Sequence, residues 1–156
     1  MAATTVVGFD GSDTSSRALD RAISDVKAAG GRLIVVVVAP LPVDPLAPSM
    51  VGPWVLGPQD QDELALARDV AEDKAPPALQ PTVEQAAKRA AGAGLEPEII
   101  WRMGDPAREI LDAARANGAS TIVLGEHHHR LLGALFGEDV DAAVQRDANC
   151  SVVLVA

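Results

Sequence analysis

Residues Leu33-Ile34-Val35-Val36-Val37-Val38 are apolar at every position, mostly β-branched, and closed by Pro40. Successive strand side chains point to opposite faces, so a strand with one wet face would alternate polar and apolar residues. An uninterrupted run is therefore hidden on both faces, which happens inside a parallel sheet covered by helices on each side. Parallel neighbours also need long crossover connections, so helices must separate the strands. The rest of the chain follows this rule. Thr4-Thr5-Val6-Val7-Gly8-Phe9-Asp10 reads as a buried strand ending at the turn Gly11-Ser12-Asp13. A helix follows, with Leu19, Ala22, Ile23 and Val26 at helical spacing, Asp13 or Ser12 as cap and Gly30-Gly31 as its stop.

The second half repeats the pattern. Pro97-Glu98-Ile99-Ile100-Trp101-Arg102 is a strand, and Asp105 caps a helix that has Pro106 at its first position and Ile110, Leu111 and Ala114 inside. Gly118 ends that helix. Thr121-Ile122-Val123-Leu124-Gly125 is a strand, Glu138 to about Asp147 a helix, and Ser151-Val152-Val153-Leu154-Val155 the last strand. Five strands separated by helices make a doubly wound parallel α/β sheet. At 156 residues the chain is expected to be one domain, spanning 1–156, with an irregular insertion at about 41–81.

That insertion is rich in Pro and Gly from Pro40 to Pro58, yet it carries Met50, Val51, Trp54, Val55 and Leu56. The Trp54 segment reads as a flap over a ligand, a dimer contact, or a surface loop tucking its apolar side down. From Asp60 to Lys74 the chain is acidic with helical period, and its charges mark a solvated face. Pro76-Pro77 and Pro81 interrupt before a further helix, in which Thr82 and Gln85 have the spacing of a capping box.

Charge excludes some partners. Lys and Arg total 13 against 22 Asp and Glu, a net −9, with no basic run. Nucleic acid is bound by neutralising phosphates and stacking bases, and this chain has neither the cations nor the aromatics, which are 3% with no Tyr. Cys150 is the single cysteine, so no internal disulfide forms and a reducing cytoplasm is expected. No apolar stretch approaches the length of a membrane span, and no basic region precedes an apolar run at Met1, so neither membrane nor secretion is expected.

In an open parallel sheet, ligands bind beyond the carboxyl ends of the strands where strand order reverses. The first and fourth strands flank that point. Their ends, Asp10-Gly11-Ser12 and Gly125-Glu126-His127-His128-His129, are the candidate site, each beside a helix N-terminus suited to phosphate. Asp10 before Gly-Ser reads either as a turn former or as a ligand contact.

Four segments in order carry a resemblance: Val7-Gly8-Phe9-Asp10-Gly11-Ser12 with Ala18-Leu19; Gly104-Asp105-Pro106-Ala107 with Glu109-Ile110-Leu111; Ile122-Val123-Leu124-Gly125; and Cys150-Ser151-Val152-Val153-Leu154-Val155. Together, from about residue 4 to 155, they resemble the universal stress protein family. The resemblance implies a Rossmann-like doubly wound parallel five-stranded sheet of strand order 3-2-1-4-5. It also implies a homodimer paired through the last strand, Ser151–Val155, and in many members ATP binding. By that resemblance Asp10 meets the adenine or ribose, Val38 contacts adenine, Gly125 takes the first position of the phosphate motif, and Leu124 lines the pocket beside it. That motif is Gly, two residues, Gly, nine residues, Gly, then Ser or Thr.

Beyond Gly125 the motif fails. His128 stands at the second glycine, and nine residues on is Glu138. With one residue deleted, Gly137 takes the third glycine and Glu138 replaces the hydroxyl residue. The helix then opens on Glu138, Asp139 and Asp141, which stabilise its dipole by typically about 0.3–1 kcal/mol each but repel an anion. Like charges about 4 Å apart cost roughly 1 kcal/mol in water and about 4 at an effective dielectric of 20. The site therefore reads as a degenerate one that binds ATP or another adenine nucleotide weakly, with Mg²⁺ as a possible bridge. His127 and His129 with Glu126 or Glu138 suggest a metal, but three adjacent histidines converge poorly on one ion, and an exposed polar turn is the plainer reading. Imidazoles, His127 and His128 among them, would also counter phosphate charge below about pH 6.5.

No phosphate loop, dinucleotide fingerprint, nucleophile elbow or Cys-x-x-Cys is present in the sequence. Cys150 reads as a small core residue. The expected function is a non-enzymatic stress-response module binding a small ligand. Its rivals are a true nucleotide binder with slow ATPase activity, and a protein-interaction module with no ligand.

Overall fold

The apolar run lies inside a parallel sheet, one strand in from its edge. In the computed structural model, which describes residues 2–39, 75–126 and 140–156, Leu33 to Val37 are buried within β2 (Arg32–Ala39). This strand pairs in parallel with β1 (Thr4–Gly8) on one side and β3 (Glu98–Met103) on the other. Beyond β1 come β4 (Thr121–Gly125) and then β5 (Ser151–Val155), so the sheet order is β3-β2-β1-β4-β5, all parallel. The expected strand order holds, with β3 and β5 at the edges.

Helices cover both faces, and the strand residues sort between them by parity. Val7, Phe9, Leu33, Val35, Val37 and Val123 pack with α1 (Asp13–Ala29) and α2 (Gln80–Gly92) in one cluster. Val6, Ile34, Val36, Ile122 and Leu124 pack with α3 (Pro106–Ala116) and α4 (Val140–Asp147) in the other. Leu19, Ile34, Ile122, Val6 and Val7 are fully buried, and each such side chain contributes about 1.5–3 kcal/mol relative to exposure. Among the described residues no helix is long and apolar enough to cross a membrane.

Local chemistry sets the helix ends. Ser12 Oγ accepts from the Ser15 N–H at 3.2 Å to cap α1, and the Gly30 N–H closes it on the Val26 carbonyl at φ +76°. Asp105 accepts from the Arg108 N–H at 3.0 Å to cap α3, with Pro106 in its first turn as expected. The capping-box reading of Thr82 and Gln85 is wrong. α2 starts earlier, at Gln80 after Leu79, without a side-chain cap, so Thr82 and Gln85 lie inside the helix. The reason is that Pro81 falls in the first turn, where its missing N–H costs no intrahelical bond. Buried Leu79, whose N–H donates to the Pro76 carbonyl at 2.8 Å, anchors that turn. β1 also ends at Gly8 instead of Asp10, although the Phe9 N–H still donates to the Val36 carbonyl at 2.9 Å. The Trp54 segment and the acidic stretch to Lys74 lie outside the described residues.

α1 and α2 are also joined by a two-pronged ion pair. Arg89 Nε and Nη2 donate to Asp20 Oδ1 and Oδ2 at 2.7 and 2.8 Å. Both side chains are substantially exposed, 38% and 53%, so solvent screens the pair and it contributes about 0.2–1 kcal/mol. The hydrogen bond from Arg89 holds the Asp20 carboxyl below the usual carboxylate range, partly opposed by burial. A lowered folded-state value means that the stabilisation is complete above the unfolded-state value, about 3.9, and is lost as pH falls through the folded one. Asp20→Asn is expected to lower unfolding free energy at pH 7 by less than about 1 kcal/mol, with the difference from the parent protein disappearing in acid. Urea titrations at neutral pH and below about pH 3 check this, because a deficit undiminished in acid would assign the loss to packing.

Candidate functional site

The carboxyl edge of the sheet is built from the turn that leaves β1. Gly11 takes φ +83°, a left-handed conformation that favours glycine, and this folds Asp10 back over its own turn. Asp10 Oδ1 accepts from the Ser12 N–H at 2.9 Å, while the Asp10 N–H donates to Ser15 Oγ at 3.4 Å. Ser15 Oγ in turn donates to the Ser12 carbonyl at 3.0 Å, and the hydroxyls of Ser12 and Thr14 lie 3.3 Å apart. Ser15 is buried; Gly11 and Ser12 are half-buried; Asp10 is exposed. The turn-forming role of Asp10 is thus real. It also leaves a carboxylate fixed in direction at the edge where a ligand would enter.

β4 meets this turn backbone to backbone. A Cβ on Gly125 would lie 2.6 Å from the Thr14 carbonyl carbon, 2.7 Å from the Ser15 nitrogen and 2.8 Å from the Thr14 oxygen. Gly125 therefore has a packing reason to be glycine, independent of any phosphate. The next residue continues the ladder, with the Glu126 N–H donating to the Val155 carbonyl at 2.7 Å.

Register relates the other predicted residues. Gly8 pairs with Val36 and Val7 with Val123, so Val38, Asp10 and Glu126 stand at about one level on three neighbouring chains. Val38 is half-buried and packs on the α3 and α4 side. Leu124, expected to line the pocket, is 4% exposed, and its Cδ2 fills the space a Cβ on Gly8 would need. Asp10, Gly11, Ser12, Val38 and Gly125 are thus gathered at the edge, whereas Leu124 is a core residue. His127, His128, Gly137 and Glu138 lie outside the described residues, as do His129, Arg130 and Asp139. Among the described residues no three His, Cys, Asp or Glu side chains are grouped to hold a metal.

Gly104-Asp105-Pro106 serves structure: the Gly104 N–H donates to the Ala39 carbonyl at 2.9 Å and Asp105 caps α3. Cys150 is half-buried against the α3 and α4 cluster, and burial pushes its thiol up, away from the thiolate a nucleophile needs. Sequence reasoning missed Thr14 and Ser15 as the neighbours of Gly125, and missed Thr82 and Gln85 beside Gly11. No local signal marks either contact, since each joins segments distant along the chain.

Comparison with known proteins agrees with this architecture. The family model described as universal stress protein family matches residues 1–156. Universal stress protein YxiE of Bacillus subtilis (strain 168) is 30% identical over 150 residues, covering 96% of this chain and 96% of that protein. A universal stress protein solved in complex with cAMP superimposes with a TM-score of 0.68 at 25% identity, over 99% of this chain and 97% of that one. The universal stress protein from Archaeoglobus fulgidus in complex with dAMP shares the fold, with a TM-score of 0.55 at 21% identity, over 99% and 98%.

The two glycines that end β1 and β4 differ in what surrounds them. A Cβ on Gly125 meets rigid backbone, whereas one on Gly8 meets Leu124 Cδ2 at 2.7 Å and Ile110 Cδ1 at 2.9 Å, both side-chain ends that can turn. Overpacking of this kind typically costs about 1–3 kcal/mol. Gly125→Ala is expected at or above the top of that range and Gly8→Ala nearer its foot. Thermal denaturation of both variants compares them, and equal losses would mean that β4 and α1 separate freely.

Proposed function

The chain belongs to the universal stress protein family, and from that premise we propose that it binds an adenine nucleotide bearing a single phosphate at the edge where β1 and β4 part, and performs no chemistry on it. The observation that carries this reading is the Asp10 carboxylate, exposed at the switch point of the sheet and oriented by the Ser12 N–H. A carboxylate in that place suits a ribose hydroxyl or an adenine amino group, both donors. The cAMP complex of a relative 25% identical over nearly its whole length supports an adenine ligand.

The preference for one phosphate follows from charge. Glu126 comes directly after Gly125, and in sequence Glu138 stands where the family pattern has a glycine or hydroxyl residue, with Asp139 and Asp141 close behind it. A triphosphate brings about four negative charges to that acidic stretch and a cyclic monophosphate about one. At roughly 1 kcal/mol per pair about 4 Å apart in water, and more where water is excluded, several such pairs outweigh the gain from additional phosphate contacts. Mg²⁺ bridging carboxylates and phosphates would offset the repulsion. The sequence offers no assembled nucleophile and base, so the reading is of a binding module that reports or sequesters its ligand.

Calorimetric titration with AMP, cyclic AMP and ATP tests this. AMP or cyclic AMP is expected to bind at least about tenfold more tightly than metal-free ATP, with Mg²⁺ narrowing the gap. Asp10→Ala is expected to weaken the favoured nucleotide by about tenfold or more, the loss of a hydrogen bond to a charged group. ATP binding as tightly as AMP without metal would overturn the charge argument.

The same reading includes a two-fold dimer. β5 is an edge strand whose Val152, Val153, Leu154 and Val155 are only half-buried, and an apolar edge invites pairing that a two-fold axis closes. Sedimentation at about 100 μM is expected to give a dimer mass; a monomer there refutes pairing through β5 as a stable interface.

A further inference from the structure

Gly11 is shaped by more than its own turn. A Cβ there would stand 3.3 Å from Gln85 Oε1 and 3.9 Å from both Cγ2 and Oγ1 of Thr82, so the first turns of α2 lean over the β1–α1 turn. α2 precedes β3 in a parallel crossover, which places its start at the carboxyl edge of the sheet, beside the end of β2. Gln85 is exposed, and among the described residues its side-chain amide has no hydrogen-bond partner. A primary amide thus stands next to the Asp10-Gly11-Ser12 turn, at the carboxyl edge of the sheet where β2 also ends. Gly11, held at φ +83° by its own turn, leaves room for this close approach.

The chemistry of that group is specific. An amide offers a donor and an acceptor side by side, and the edge of adenine offers an amino donor next to a ring-nitrogen acceptor. Resting on the nucleotide reading above, we propose that Gln85 is the base-reading residue of this site, pairing its side-chain amide with the amino edge of adenine. In this arrangement Val38 supplies an apolar wall for the ring, and Asp10 takes the ribose side. The base is selected by α2 and the sugar by the β1 turn, so specificity is divided between two elements that meet at Gly11. A purine lacking the amino group takes that donor away from the amide, so the analogue binds less well than AMP.

The test compares AMP with purine riboside 5′-monophosphate, which lacks the 6-amino group, by calorimetry on the parent protein and on Gln85→Ala and Gln85→Leu. Circular dichroism reports folding, and the leucine variant keeps the bulk beside Gly11 while removing the amide. The parent is expected to prefer AMP by about tenfold or more, and both variants to lose that preference mainly by weakening AMP. If the parent binds both nucleotides and the variants keep the preference, or lose affinity for both equally, Gln85 does not read the base and the nucleotide reading stands. If the parent binds neither nucleotide, the nucleotide reading itself fails and this assignment with it.

Discussion

Burial of the sheet on both faces is the constraint from which the other features follow. β1 is buried along its whole length and β2 at Leu33 to Val37, with alternate side chains entering two separate clusters. A strand can be hidden this way only if helices cross over on each side, and parallel pairing supplies those crossovers. Once α1 and α2 lie on one face and α3 and α4 on the other, the connections must part between β1 and β4. The opening at the carboxyl edge is thus a by-product of how the hydrophobic strands are covered.

What occupies that opening is governed by close backbone packing. β4 abuts the first turn of α1 at Gly125, and the same turn is tied internally by Asp10, Ser12 and Ser15. Most polar groups there are consumed by the turn, as burial demands, because an unsatisfied buried donor or acceptor costs about 1–3 kcal/mol. No buried side-chain polar atom among the described residues lacks a partner. The Asp10 carboxylate is oriented by the Ser12 N–H and exposed to solvent. Rigidity and accessibility together are what a recognition group needs, since little ordering entropy is then lost when a ligand arrives.

Much of this was legible in the residues alone. Strand and helix types came from periodicity, and the ends of α1 and α3 from Ser12, Gly30, Asp105 and Pro106, whose local geometry is nearly independent of the rest of the chain. The start of α2 was misread because Thr82 and Gln85 match a local pattern that Pro81 and the burial of Leu79 override. At the carboxyl edge, Asp10, Gly11 and Ser12 were legible as a turn because a strand-to-helix turn is a local signal. Leu124 lies where local signals run out: its proximity in sequence to Gly125 does not reveal that it is buried, with its side chain in the space a Cβ on Gly8 would need.

By itself the sequence determined which segments are strands and helices, that the strands run parallel, and that the charge disfavours a polyanion, because these depend on side-chain period, caps and ionisable counts along a single stretch. Only the tertiary structure decided that Gly125 must be glycine on account of Thr14 and Ser15, and that Gln85 stands beside Gly11. Those facts depend on distances between segments that come together only when the apolar faces of the sheet are covered, and no local period encodes such a distance.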